Sequence, residues 1–475
     1  MAVKKLPLLD KLKKFSSTNP MSFHVPGHKN GSHTVLERFH FTDLLKIDVT
    51  ELNGLDDLHF PTGVIKEAEE LLASLYSADK SFFLVNGSTV GNLASIYVTC
   101  KQDELVLVQR NCHKSVFNGL ALVGARPVLL PTEVDQTLGI ALGVEQKSTI
   151  ETIHQHPNAK AIILTNPNYY GMSQNLEDII EIAHGYGIPV IVDEAHGAHF
   201  IVGDPFPKSA ITMGADLVIQ SAHKTLPAMT MGSFLHVKSS LVEERKVGSY
   251  LSMLQSSSPS YPIMASLDIA RSFLENLTDE GIQEIEQHIC CFYEKLQEIP
   301  EIEVVQSNYE NYKQDLLKVM IKSKGGLTGF ELQKELECEN VYTELSDWKH
   351  VLFVLPLDII SNMEEVINSI RKAVKDKTGN QLNTSFHYYP SIVSQFPFSF
   401  KELMTRETEQ LPLDQAVGRI CGKNVIPYPP GIPVILEGEL ISEEHVKYVK
   451  DLHENGGYIQ NIVNEIELKI EVYCL

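Results

Sequence analysis

Five short runs of β-branched and apolar residues set the architecture of this chain: SFFLV (81–85), ELVLV (104–108), AIILT (161–165), IPVIVD (188–193) and ADLVIQ (215–220). They are apolar almost continuously, not at every second position, which is how strands covered on both faces of a parallel sheet read. Between them ETIHQHP (151–157) and NLEDIIEIAHGYG (175–187) read as crossover helices, the second ending on a glycine-containing cap. Strand–helix alternation of this kind implies an α/β fold with a mainly parallel central sheet.

Around that core the chain divides into four expected segments. An arm, 1–52, is rich in turn formers: FHVPGHKNGSH holds one Pro, two Gly and three His in eleven residues. The α/β domain occupies 53–272. A smaller α+β domain, 273–375, opens with the helical EGIQEIEQHICCFYEKLQEI and continues with the strand candidates IEVVQ and LLKVMIK and a helix near LTGFELQKELE. The polar KDKTGNQLNTS (375–385) marks a boundary before a C-terminal α+β domain, 376–475.

Charge narrows the function classes. Forty basic against sixty-one acidic side chains give a net charge of −21, which argues against a nucleic-acid surface and is compatible with a cationic small-molecule substrate. No stretch approaches the roughly 18 apolar residues of a membrane span, and the N-terminus lacks the apolar run of a signal peptide. Seven scattered cysteines without a CxxC pair suggest reduced thiols and a cytoplasmic protein.

Four motifs carry chemistry. SAHKTLPAMTMGSF (221–234) follows the strand ADLVIQ and places Lys224 in a loop of small residues, where a neutral amine can form a Schiff base. An exposed turn lysine fits the same letters equally well. IPVIVDEAHGAHF (188–200) ends a buried strand on Asp193, at the carboxyl edge where open α/β sheets bind ligands. An ionised Asp193 can pair with a protonated pyridine nitrogen and keep the ring electron-poor. His196 and His199 in that motif would also suit a metal, but no third ligand is spaced for one, and no metal is expected. LVNGSTVGNLAS (84–95) runs from strand to helix through Gly87, Ser88 and Thr89, an anion-binding start that is also an ordinary helix cap. In RNCHKSVFNG (110–119), His113 is a loop histidine that could lie over a ring face. In this order the four supply partners for the phosphate, ring face, ring nitrogen and aldehyde of pyridoxal 5'-phosphate (PLP).

The chain resembles the Orn/Lys/Arg decarboxylase family, PLP enzymes of the aspartate-aminotransferase fold (fold type I). The likeness runs through FHVPGHKNG, VTELNGLDDLHFPTG, FFLVNGSTVGN, RNCHKS, VDEAHGAH, SAHKTLPAMTMGSFLH, SSSPSYPIMASLD, AVGRI and YPPGIPVILEGE. It implies that Lys224 forms the Schiff base, Asp193 pairs with the ring nitrogen and His113 stacks on the ring. Gly87, Ser88 and Thr89 bind the phosphate with Ser221 and His223. Ala195 packs beneath the ring, and His196 sits near the phenolic oxygen or the substrate carboxylate. Ser257 and Ser258, in SSSPSY, complete the phosphate cup across a dimer interface. Tyr428 and Glu439 are candidates for the substrate entrance, and Glu344 and Asp347 in TELSDW (343–348) for the distal amine.

The implied reaction is decarboxylation of lysine, arginine or ornithine to the amine, within polyamine biosynthesis, with His223 or Lys224 returning a proton to the α-carbon. Large family members carry an N-terminal wing domain that helps build decamers; this chain starts at the arm, so a homodimer or an assembly of dimers is expected. The motif LEGE stands where a proline commonly precedes Gly438. Two other functions compete: another fold type I reaction, such as an aminotransferase or lyase, and a non-catalytic PLP-binding regulator. Arg271 and Arg419 lack the sequence context of a transaminase's carboxylate-binding arginine.

Overall fold

The computed structural model describes residues 5–26, 28–32, 42–307, 309, 311–379, 396–427, 432–454, 457–464 and 468–474. Tyr428 and most of the polar stretch 375–385 therefore lie outside the described residues. The chain forms two compact units, each drawn from separated segments: Met1–Thr99 with Leu176–Asp204 and Lys208–Asp279, and Cys100–Asn175 with Pro205–Pro207 and Glu280–Leu475.

The first unit contains four neighbouring strands in the order Lys80–Leu84, Ser233–Val237, Leu217–Gln220, Val190–Asp193. The last two pair in parallel, with Asp193 opposite Ile219. Ser233–Val237 runs antiparallel to both of its neighbours, so the sheet is mixed. This strand escapes a reading by apolar pattern because SFLHV carries two polar residues. Both are fully buried, and His236 is satisfied by Ser81 on one side and Gln220 on the other. Hydrogen bonding between neighbouring strands thus replaces the apolar contact the pattern looks for.

Helices fix this layer. Pro7–Ser17 starts with proline, whose missing N–H costs nothing in the first turn. Its Leu8 and Leu9 N–H groups donate to Asp268 of the helix Tyr261–Asn276. Asp268 in turn accepts from Arg271, which is itself fully buried and also bonds Glu275 and the carbonyl of Lys5. Helix Gly87–Thr99 leaves the strand Lys80–Leu84 almost at once through Gly87, whose φ of 75° lies in the left-handed region that glycine adopts without strain.

In the second unit Ile162–Thr165, Leu105–Gln109 and Arg126–Leu130 form the parallel pattern expected from their apolar runs. Of the two expected crossover helices, Gln146–Gln155 lies in this unit and Glu177–Gly185 in the first, the latter followed by Gly187 at φ 70°. A four-stranded antiparallel sheet, Ile302–Val305, Lys318–Ser323, His350–Val354 and Leu345–Ser346, accompanies the helices Gly329–Cys338 and Met363–Val374. Further along, Thr408–Pro412, Leu468–Tyr473 and Ile462–Asn464 form a separate sheet. Helix Glu443–Glu454 contributes Val446, Val449 and Leu452 to a core with Val425, Ile435 and Val472. Among the described residues no helix is long and apolar enough to cross a membrane.

Candidate active site

The site grows from the carboxyl ends of two parallel strands. Val190–Asp193 delivers Asp193, then Glu194, Ala195 and His196; Leu217–Gln220 delivers Ser221 and the single helical turn Ala222–Thr225 that carries His223 and Lys224. Backbone bonds tie the two ends: Glu194 N donates to Ile219 O at 2.8 Å and Ser221 N to Ala195 O at 3.3 Å. Residues 28 positions apart thereby meet, and Lys224 Nζ donates to His196 Nε2 at 2.9 Å. That bond engages the ring nitrogen a metal at His196 would otherwise take. His199 is fully buried, edge-on to Phe200.

Asp193 is buried, and its carboxylate accepts from two uncharged donors, Asn92 Nδ2 at 2.9 Å and Ala195 N at 3.2 Å. An anion so placed attracts a cation, such as a protonated ring nitrogen. Asn92 belongs to helix Gly87–Thr99, one turn beyond Ser88, and Ser88 Oγ is 2.9 Å from Ser221 Oγ. The two hydroxyls and the start of this helix make a group of hydrogen-bond donors. A side chain added at Gly87 would meet nothing within 4 Å, so the turn has open space in front of it for an anion. Thr89 is exposed at the same turn. His223 Nδ1 donates to Gly232 O at 3.1 Å, which fixes the ring and directs its Nε2 elsewhere.

The first unit thus gathers Lys224, His196, Asp193, Ala195, Ser221, His223, Gly87 and Ser88 around linked strand ends. Ser257 and Ser258 lie on an exposed loop, which Gln255 fastens to the end of the first strand through Val85 N at 2.8 Å. His113 belongs to the second unit, where it caps helix Lys114–Val123 by accepting from Ser115 N at 3.2 Å.

The acidic candidates have partners of their own. Glu439 is fully buried and paired with Arg110 at 3.0 Å. Glu344 accepts from Tyr169 at 2.5 Å, and Asp347 from Tyr170 at 2.6 Å while bonding His350. Arg271 and Arg419 are likewise engaged, the latter by Glu409 and the carbonyl of Tyr473. Tyr428 lies outside the described residues.

The sequence reading assigned no role to two buried side chains, Asn92 and Glu194. Asn92 stands four residues after Ser88, a helical spacing that puts both on one face and was a usable signal. Glu194 points away from Asp193, as successive residues at a strand end do. It is held by Ala210 N at 2.6 Å, Ser209 Oγ at 2.8 Å and Gln220 Nε2 at 2.6 Å. Burial pushes its carboxyl up to about 7 despite those three donors.

The family model for the Orn/Lys/Arg decarboxylase major domain matches residues 6–314, and that for the C-terminal domain of the same family matches 380–458. An uncharacterized protein of Bacillus subtilis, YaaO, is 46% identical over 98% of both chains. The arginine decarboxylase of Bacillus subtilis is 34% identical, covering 94% of this chain and 94% of its own. The crystal structure of the Francisella novicida lysine decarboxylase LdcF superposes with a TM-score of 0.83 at 20% identity, over 98% of this chain and 81% of that one, which shows a shared fold. That fold is the type I fold of PLP enzymes, met again in a ureidoglycine–glyoxylate aminotransferase of Bacillus subtilis with a TM-score of 0.53. Matched over its major domain and across nearly its full length by such relatives, the chain belongs to the Orn/Lys/Arg decarboxylase family and is a decarboxylase.

Proposed function

We propose that this enzyme uses PLP to decarboxylate a basic amino acid, arginine first and lysine or ornithine after it, and that the amine product enters polyamine synthesis. The observation that carries the reading is the meeting of Lys224 with His196 at 2.9 Å on the strand end that also presents the buried Asp193. Family membership supports decarboxylation over transfer of the amino group, and relatives named arginine decarboxylases at 32–35% identity support arginine. Arg271 and Arg419, the arginines a transaminase reading would call on, are both engaged elsewhere.

PLP bound here supplies an aldehyde for the substrate amine and a ring that takes up the electron pair left when carbon dioxide departs. The chain's own side chains do the rest. Lys224 presents an amine to the aldehyde, and His196 holds that amine in place. Asp193 keeps a positive charge on the ring nitrogen. Gly87, Ser88, Thr89 and Ser221 hold the phosphate at the helix start. His223 or Lys224 returns a proton to the α-carbon, so one proton is consumed in each turnover. The ring-facing role of His113 and the phosphate role of Ser257 and Ser258 in a homodimer rest on the family resemblance.

Product analysis tests the reading. Arginine, lysine and ornithine should yield agmatine, cadaverine and putrescine by mass spectrometry. At least one should be preferred over leucine and glutamate by about a hundredfold, because a pocket built for a buried cation leaves its polar groups unpaired with the wrong substrate. Keto-acid formation without carbon dioxide would move the enzyme to the aminotransferases.

A further inference from the structure

Asp193 does not choose its own orientation. Both it and Asn92 are buried, at 3% and 2% exposure, and they meet at 2.9 Å. Of the two groups that donate to the carboxylate among the described residues, Ala195 N belongs to the backbone and Asn92 Nδ2 to a side chain. Each hydrogen bond to the ionised form lowers the cost of keeping it charged away from water. Asn92 lies four residues beyond Ser88 on the helix Gly87–Thr99, so the same face presents both. Ser88 bonds Ser221 and Asn92 bonds Asp193, which ties one rigid element to the ends of both strands.

We propose that Asn92 is the positioning residue for Asp193: it holds the carboxylate ionised and in one rotamer, and helix Gly87–Thr99 thereby fixes the spacing between the anion-binding turn and the partner of the ring nitrogen. The proposal rests on the reading of Asp193 given above and deepens it. An asparagine kept only for packing would be replaced without consequence by a residue of its own shape. A positioning donor would not, because leucine in its place leaves the carboxylate short of a hydrogen bond.

The test compares Asn92→Leu, Asn92→Asp and Asp193→Asn with the wild-type holoenzyme. Losing a hydrogen bond to a buried charge lowers kcat in Asn92→Leu by roughly ten- to a hundredfold, with KM little changed. In Asn92→Asp two carboxylates face each other and share one proton at low pH. The protonated Asp at 92 then donates as the amide did, so activity recovers as pH falls, whereas Asn92→Leu shows no such recovery. Other ionisable groups on these strand ends, Glu194, His196, His223 and Lys224, are common to every Asn92 variant and cancel in the comparison. A second readout needs no turnover: in apoprotein carrying ¹³C-labelled aspartate, the Asp193 carboxyl, assigned by its loss in Asp193→Asn, titrates at higher pH in Asn92→Leu. Wild-type kcat and an unmoved titration in Asn92→Leu, with Asp193→Asn impaired, would overturn the proposal. Full activity in Asp193→Asn would instead overturn the ring-nitrogen reading, and the carboxyl titration still decides whether Asn92 holds the charge.

Discussion

Arg110 and Glu439, 329 residues apart in the chain, form an ion pair at 3.0 Å with 6% and 0% of their surfaces exposed. Arg110 also donates to the carbonyls of Pro433 and Val434, and Glu439 accepts from Leu436 N at 2.8 Å. The pair therefore fastens the start of RNCHKS to LEGE. Breaking a buried pair leaves one charge uncompensated, at a cost of about 3–5 kcal/mol. Arg110→Met should lose that much stability in urea unfolding, with KM for a basic substrate unchanged in whatever protein stays folded. The double variant Arg110→Met/Glu439→Gln should regain most of it, since glutamine still accepts from Leu436. If Glu439→Gln keeps its stability but loses affinity for basic substrates, Glu439 takes the substrate's cation instead.

Lys224 should be the Schiff-base residue. Purified enzyme would absorb visible light, and borohydride should remove that band while labelling the peptide that spans SAHKT. Lys224→Ala should abolish turnover and still bind PLP non-covalently. A label on any other lysine would end the assignment.

Glu194 should make stability fall as pH rises. Its carboxyl, near 4.5 when unfolded, is pushed up to about 7 in the fold, so the folded chain holds the proton more tightly. The associated stability is complete below about 4.5 and is lost as pH climbs through about 7. The loss is about 3 kcal/mol, an order-of-magnitude figure from the linkage between proton affinity and folding. His236, pushed down to about 3 by burial, stays neutral throughout. The difference between wild type and Glu194→Gln across pH 4–8 should show this slope. The hydrogen bonds run from Ser81 through His236 and Gln220 to Glu194, so His236 carries its hydrogen on Nε2. In Glu194→Gln the new amide nitrogen faces that of Gln220 and forces it to turn. The ¹⁵N spectrum of His236 should then report hydrogen on Nδ1. An unchanged tautomer would show that the chain of bonds does not act as a unit.

Activity should require a second copy. Met21, Phe23, Phe60 and Met253 are 88%, 93%, 78% and 70% exposed, all on the first unit that carries Lys224. Exposed apolar side chains of this size favour burial against a partner. Dilution should lose PLP and activity together, and Ser257→Ala/Ser258→Ala should weaken PLP binding if those hydroxyls serve a neighbouring site. A fully active monomer in sedimentation analysis would contradict this reading.

Much of the fold was legible because buried parallel strands repeat apolar letters. ELVLV, AIILT, IPVIVD and ADLVIQ all fall on strands of the structure. Ser233–Val237 was not legible, because its buried His236 is satisfied by Ser81 and Gln220, far away in sequence. In the site, the sequence alone put Asp193 at the end of one strand and Lys224 shortly past the end of another, since what closes a strand is a local property of the chain. Which side chains then meet is not local. The bonds Lys224–His196, Asn92–Asp193 and Arg110–Glu439 span 28, 101 and 329 residues, and each depends on how strands pair or on how helices and loops pack. A motif shows which chemical groups are available. Only the tertiary structure decides which of them lose water together, and loss of water is what makes a hydrogen bond or a charge pair strong enough to hold a functional group in place.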